Sequence, residues 1–310
     1  MKVLILGGEG FFGNTFCNHL IHSPQLSGKY EVISRSRRNS CDLRYLDNAL
    51  SVISHEAPRI IINCAAHVGS VQYAVENSAA MLDDNIRIIS NLYEAVAQTD
   101  KTIKIVTPIS NCSYPGNANE HREDEYWNGN VHDSVMSYGT SRRLIFAYGQ
   151  CYFEQHGVRS LNWLVPNAYG PGDYSDPMKV HALNGIIIRL LKAQHNGDTA
   201  FSIWGTGTPM REWIYSEDAI NIISDNMDLD LQIEPMNIAQ CKGYSIKEIV
   251  TLACEALDYF PQFEYDTSKT DGAPIKILND AKFRGFYPDF KFTELKTGIK
   301  NTINYYKELI

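Results

Sequence analysis

Val3-Leu4-Ile5-Leu6-Gly7-Gly8-Glu9-Gly10-Phe11-Phe12-Gly13 decides the fold. The four apolar residues predict a strand buried on both faces. Glycines at 7, 10 and 13 then form a turn, and Asn14 to Ile21 reads as a helix with Phe16, Leu20 and Ile21 on one side. Glycine permits a tight turn and lets backbone N–H groups approach a pyrophosphate, while the helix N-terminus adds partial positive charge. The spacing alone is weak evidence; its place between a strand and a helix is what the motif requires. Gly7, Gly10, Phe11, Phe12 and Gly13 are therefore candidate dinucleotide contacts, with Phe11 and Phe12 packing against the sheet from within the turn.

Outward from that stretch, further strands are predicted at 30–33, 59–64, 102–109 and 160–165, with a long helix over 81–97. Alternation of this kind predicts an α/β fold: a Rossmann doubly wound parallel sheet with a smaller C-terminal α/β lobe for substrate. The expected division is 1–165 for the dinucleotide and 166–310 mainly for the substrate, with segments of the second part returning to the first. The 310-residue length suits this arrangement.

Hydrophobic residues at 44% and charged residues at 21% are ordinary for a globular protein. A net charge of -8 disfavours binding to nucleic acid or an anionic membrane. Seven widely spaced cysteines without a Cys-x-x-Cys argue against a disulfide framework or a metal site. The first apolar run is too short for a leader or a membrane span, so a cytoplasmic location is expected.

The end of the second strand bears on cofactor choice. An Asp or Glu there suits a free ribose 2′-hydroxyl. Here the stretch is Ser34-Arg35-Ser36-Arg37-Arg38. Its guanidinium groups, Arg35 and Arg38 above all, suit a 2′-phosphate and favour NADP(H) over NAD(H). A solvated basic loop is the alternative. Asp42, Leu43, Ala65 and Ala66 complete the expected cofactor contacts.

Tyr138 and Arg142 stand four residues apart in Ser137-Tyr138-Gly139-Thr140-Ser141-Arg142, so a helix puts them on one face. A phenol needs a nearby cation to act as an acid–base group near neutrality, and Arg142 can be that cation. Ser110, just past a strand, can hydrogen-bond a substrate carbonyl. Cys112 reads either as a small buried hydrophobe or as a thiol activated by a cation.

These residues resemble the extended short-chain dehydrogenase/reductase superfamily, also described as the NAD-dependent epimerase/dehydratase family. That family uses a Ser/Thr, a Tyr and a Lys, with Arg142 here in the place of the lysine. Ser110-Asn111-Cys112-Ser113-Tyr114-Pro115, the segment Asn63 to Gly69, and Asp271-Gly272-Ala273-Pro274 resemble the GDP-L-fucose synthase branch. Asn167 to Gly172 and Trp204 to Glu212 resemble the family's substrate-lobe segments.

The resemblance implies NADPH-dependent epimerisation and reduction, or reduction alone, of a nucleotide-diphospho-4-keto-deoxy sugar, with a GDP-sugar favoured. It implies that Cys112 and His181 move protons and that Tyr138 serves the reduction. It places Asn167, Trp204, Arg211 and Asp271 at the substrate, and a homodimer is expected. The competing readings are an NAD-dependent C4 epimerase and a catalytically silent NADP or sugar-nucleotide binder. A 4,6-dehydratase fits less well, because Asn111-Cys112 stands where that class carries Asp-Glu.

Overall fold

The computed structural model describes residues 1–229 and 234–309. Its first half alternates as the sequence predicts. The elements are β1 (Lys2–Leu6), α1 (Phe11–His22), β2 (Glu31–Arg35), α2 (Leu46–Glu56), β3 (Ile60–Asn63), α3 (Val71–Glu76), α4 (Ser78–Thr99), β4 (Lys104–Ser110), α5 (Met136–His156) and β5 (Ser160–Val165). There follow β6 (Asn167–Tyr169), α6 (Ala182–Asn196), β7 (Ala200–Trp204), β8 (Met210–Tyr215), α7 (Ser216–Asp225), β9 (Met236–Asn237) and β10 (Gly243–Ser245). The last are α8 (Ile246–Leu257), β11 (Gln262–Asp266), β12 (Ile275–Lys276), α9 (Ala281–Phe286) and α10 (Leu295–Lys307).

The main sheet runs β2-β1-β3-β4-β5-β9, with every pairing parallel. Helices cover both faces, so Val3 to Leu6 and Ile61 and Ile62 are fully buried. One face packs on α2, α4 and α5 through Ile53, Ile89, Leu92 and Ile145. The other packs on α1 and α7 through Phe16, Leu20, Ile220 and Ile223. After β1 the chain moves to β2 on one side, and later to β3 on the other. Strand order therefore reverses beside β1, which opens a crevice at the carboxyl ends of β1 and β3.

Helix α7 and strand β9, late in the chain, return to this first sheet. A second core gathers α6, α8 and α10 around Leu183, Ile187, Ile249, Val250 and Ile299. Beside it β8 pairs with β6, β10 and β12, and β7 pairs with β11. Among the described residues no helix is long and apolar enough to cross a membrane.

Two local expectations are corrected. Helix α1 begins at Phe11, not Asn14, because the Asn14 N–H already bonds the Gly10 carbonyl and closes the first turn. Phe11 and Phe12 are thus helical residues. Strand β2 extends to Arg35 because its register continues until Leu6 meets Arg35.

Candidate active site

The glycine turn is shaped for close backbone approach. Gly7 has φ 76°, and a Cβ there would lie 2.8 Å from the Ala65 nitrogen. A Cβ on Gly13 would lie 2.2 Å from the Gly7 carbonyl oxygen, so both positions need glycine. Gly10 caps α1 without a side-chain bond, which leaves the first-turn N–H groups to another acceptor. Ala65 and Ala66 follow β3 at the same end of the sheet, with the Ala65 N–H held by Asn63 Oδ1. An uncapped helix start against a glycine cradle is what a dinucleotide pyrophosphate needs.

The basic stretch divides its work. Arg35 is paired with the buried Glu56 carboxylate and also donates to the Ser34 carbonyl. Arg37 and Arg38 are exposed, and Arg38 lies 3.4 Å from Glu9 in the glycine turn. Arg35 thus has a structural partner, and the exposed Arg38 is the one placed beside the glycine turn. Asp42 is held below the usual carboxylate range by hydrogen bonds from Arg44. Leu43 is buried in the core, and its carbonyl accepts from Asn91.

Beyond Asp42 a polar chain runs toward α5. Arg44 reaches Asp84, and Asp84 Oδ2 lies 2.9 Å from His67 Nδ1. His67 Nε2 lies 2.8 Å from the Tyr73 hydroxyl, so this imidazole is fixed at both nitrogens. Next to Asp84, the fully buried Asn85 amide accepts from the His67 N–H and donates to the His67 and Met81 carbonyls. Arg142 Nη2 donates to the same Asn85 oxygen at 3.0 Å.

Arg142 is 3% exposed, with its guanidinium carbon 5.4 Å from the Tyr138 ring centroid. The helical spacing of four does bring the two together. Sequence reading expected the cation to bring the phenol down. Here burial pushes the Tyr138 phenol up, Arg142 pulls it down, and a Cys112 thiolate pushes it up again; it ends above its ordinary value. A phenol so placed keeps its proton and is a donor. Ser110, the last residue of β4, accepts from the Cys112 N–H and caps the turn at 111–113.

Asn85 was missed by sequence reasoning. Its signal was a polar residue on the apolar stripe Met81, Ile88, Ile89, Leu92 of α4. Asn85→Ala would leave the Arg142 guanidinium and the His67 N–H without their acceptor in a buried site. We expect a loss of about 1–3 kcal/mol in stability, read by urea denaturation.

Cys112 and His181 each carry a charged partner. Lys276 Nζ donates to Cys112 Sγ at 3.1 Å. Burial pushes this thiol up, but Lys276, the Ser110 hydroxyl and Arg211 more than offset it, and Cys112 lies below its ordinary value. His181 Nδ1 lies 3.0 Å from Asp173 Oδ2, and its N–H bonds the same oxygen. Burial lowers this imidazole, but the Asp173 charge and hydrogen bond, with Cys112, bring it above its ordinary value. Its ring centroid is 5.2 Å from that of Phe11, so His181 sits against the first residue of α1. Lys276 and Asp173 were also missed. A lysine inside the apolar run Ile275 to Leu278 was the available signal for the first; Asp173 had none beyond its place after Pro171-Gly172.

The expected substrate residues spread over the second core. Asn167, on β6, has a buried Nδ2 without a hydrogen-bond partner among the described residues. The Asn111 amide and Arg142 Nε share that condition. Trp204 is half exposed, with the Arg189 guanidinium 4.3 Å from its ring centroid. Arg211 is 9% exposed and donates to the carbonyls of Met210, Asp271 and Pro274, so much of its hydrogen-bonding capacity is internal. The Asp271 carboxylate accepts from the Thr206 N–H and hydroxyl and fixes the turn after Trp204.

Comparison with known proteins agrees with this geometry. Residues 3–239 match the model of the NAD dependent epimerase/dehydratase family. A Drosophila melanogaster protein named probable GDP-L-fucose synthase is 27% identical over 316 residues, covering 99% of this chain and 97% of its own length. A Yersinia pseudotuberculosis protein named GDP-L-colitose synthase is 26% identical over 309 residues, covering 99% of this chain and 98% of its own. The crystal structure of a GDP-L-fucose synthetase from Naegleria fowleri bound to NADP superposes with a TM-score of 0.83 at 25% identity, covering 99% of this chain and 93% of that one. With the crevice beside β1, the glycine cradle and a family match over most of its length, the chain belongs to the NAD dependent epimerase/dehydratase family.

Proposed function

We propose that this protein is an NADPH-dependent epimerase/reductase of a nucleotide-diphospho-4-keto-deoxy sugar, with GDP as the nucleotide. The observation that carries the reading is convergence. Cys112, Tyr138 and His181 come from separate stretches of the chain, yet Tyr138 and His181 each lie within electrostatic reach of Cys112, and the His181 ring packs on that of Phe11 at the start of α1. The names of the Drosophila and Naegleria relatives support the guanine nucleotide.

The residues present fit the dinucleotide. The Gly7–Gly13 turn would take its pyrophosphate and the exposed Arg37 and Arg38 its 2′-phosphate; Arg142 lies beside Tyr138, where the reactive ring is needed. When bound, NADPH supplies the hydride that reduces the sugar's C4 carbonyl. Cys112 removes a proton beside that carbonyl, and the electron pair delocalises onto oxygen as an enolate. His181, charged through Asp173, returns a proton to the opposite face. Tyr138 then gives its proton to the C4 oxygen, while Ser110 holds that oxygen by a hydrogen bond.

The decisive experiment follows NADPH oxidation and solvent deuterium uptake together, with GDP-4-keto-6-deoxymannose as substrate. Both signals are expected. Oxidation without deuterium at C3 or C5 would reduce the function to a reductase. No NADPH turnover with any 4-keto sugar would leave a binding protein. For the cofactor, the double variant Arg37→Ala, Arg38→Ala should raise the Kd for NADPH about tenfold or more, from two charge-assisted contacts of about 1 kcal/mol each, and leave NADH nearly unchanged. Equal loss for both would overturn the preference; fluorescence titration reads it.

A further inference from the structure

We propose that Lys276 is a positioning residue that keeps Cys112 ionised before any substrate arrives. The inference rests on the reading of Cys112 as a proton acceptor, but the ionisation can be observed without substrate.

The geometry is specific. Lys276 ends the short strand β12, whose register with β8 sets it beside Arg211. The segment around it is bolted down. The Met210 N–H bonds the Pro274 carbonyl, the His121 N–H bonds the Ile277 carbonyl, and the Leu278 N–H bonds the buried Glu212 carboxylate. Lys276 is 8% exposed, and among the described residues no carboxylate lies in ion-pair range of it; its ammonium donates to Cys112 Sγ. A buried cation without an anion is costly, and a thiolate is the group at hand to balance it.

Ser110 Oγ, Lys276 and Arg211 favour the thiolate. A thiolate in turn favours charge on His181 and disfavours it on Tyr138. The two other imidazoles in the field of Lys276 stay neutral. His121 is brought down to about 3 by burial and then by Lys276 and Arg211, and His132 is lowered by burial and the same two cations. Positive and negative groups thus alternate through Lys276, Cys112, His181 and Asp173. One base and one acid are set in advance, and Lys276 selects the thiol over its neighbouring histidines as the base.

The test is thiolate absorbance at 240 nm against pH on the full chain, taking the difference between wild type and Cys112→Ser to remove the other six cysteines. The wild-type difference signal should titrate below the ordinary thiol range. Lys276→Met and Lys276→Gln should cut the thiolate at neutral pH about tenfold, and Lys276→Arg should keep most of it. Alkylation by iodoacetamide should follow the same order. If Lys276→Met does not fold, Lys276→Gln and Lys276→Arg decide. An unchanged difference titration in the neutral variants would overturn the proposal. A Lys276-dependent thiolate together with no deuterium uptake would support it and overturn only the epimerase step.

Discussion

Tyr138→Phe should lower the rate of keto-sugar reduction by about 10²- to 10⁴-fold, the range spanned by a general acid. The phenol is the group best placed to meet the oxygen left by hydride transfer, since burial keeps it protonated and Arg142 lies against its ring. The fold should survive, because no protein group among the described residues takes a hydrogen bond from that hydroxyl in the structure. Deuterium uptake at C3 and C5 should persist in this variant, because Cys112 and His181 remain. A variant that reduces the sugar at the wild-type rate would remove Tyr138 from the chemistry.

Cys112→Ser should abolish deuterium uptake, with a loss of about 10²-fold or more. A serine hydroxyl is far less acidic than a thiol, so Lys276 cannot hold it ionised near neutrality. Asp173→Asn gives the complementary result. His181 is raised above its ordinary value mainly because Asp173 opposes the effect of burial. Its acid form is present below that raised value and is lost as pH climbs through it. Removing the carboxylate lowers the transition, so the alkaline limb of exchange should move to lower pH. A limb that stays in place would show that His181 is not the proton donor. If both variants epimerise normally, the proton-transfer reading of this pair is wrong.

The parts of this molecule written in local sequence were readable. Val3 to Leu6 followed by glycines at 7, 10 and 13 determined a buried strand, a tight turn and a helix, because these depend on apolar run length and on which residues lack a Cβ. The spacing of Tyr138 and Arg142 fixed their contact through helical geometry alone. The start of α1 and the end of β2 were set by individual hydrogen bonds and register, which composition does not encode.

Only the tertiary structure decided which partners those residues meet. Cys112 finds its cation 164 positions away, because β12, held in register by β8, brings Lys276 to the turn that follows β4. Asn85 takes Arg142 across the packed α4 and α5. Arg35, which sequence alone assigned to a phosphate, is drawn to the buried Glu56. Local periodicity specifies neighbours three or four residues apart. Charge pairing across the fold depends on strand order, and no window of the sequence contains it.

The epimerisation step proposed for this protein depends on a sulfur atom and an ammonium group, distant along the chain, meeting within electrostatic reach of Tyr138. The sequence placed the tyrosine and named the sulfur; folding alone brought in the ammonium, because desolvation makes an unpaired charge so costly that the nearest ionisable group is drawn to balance it.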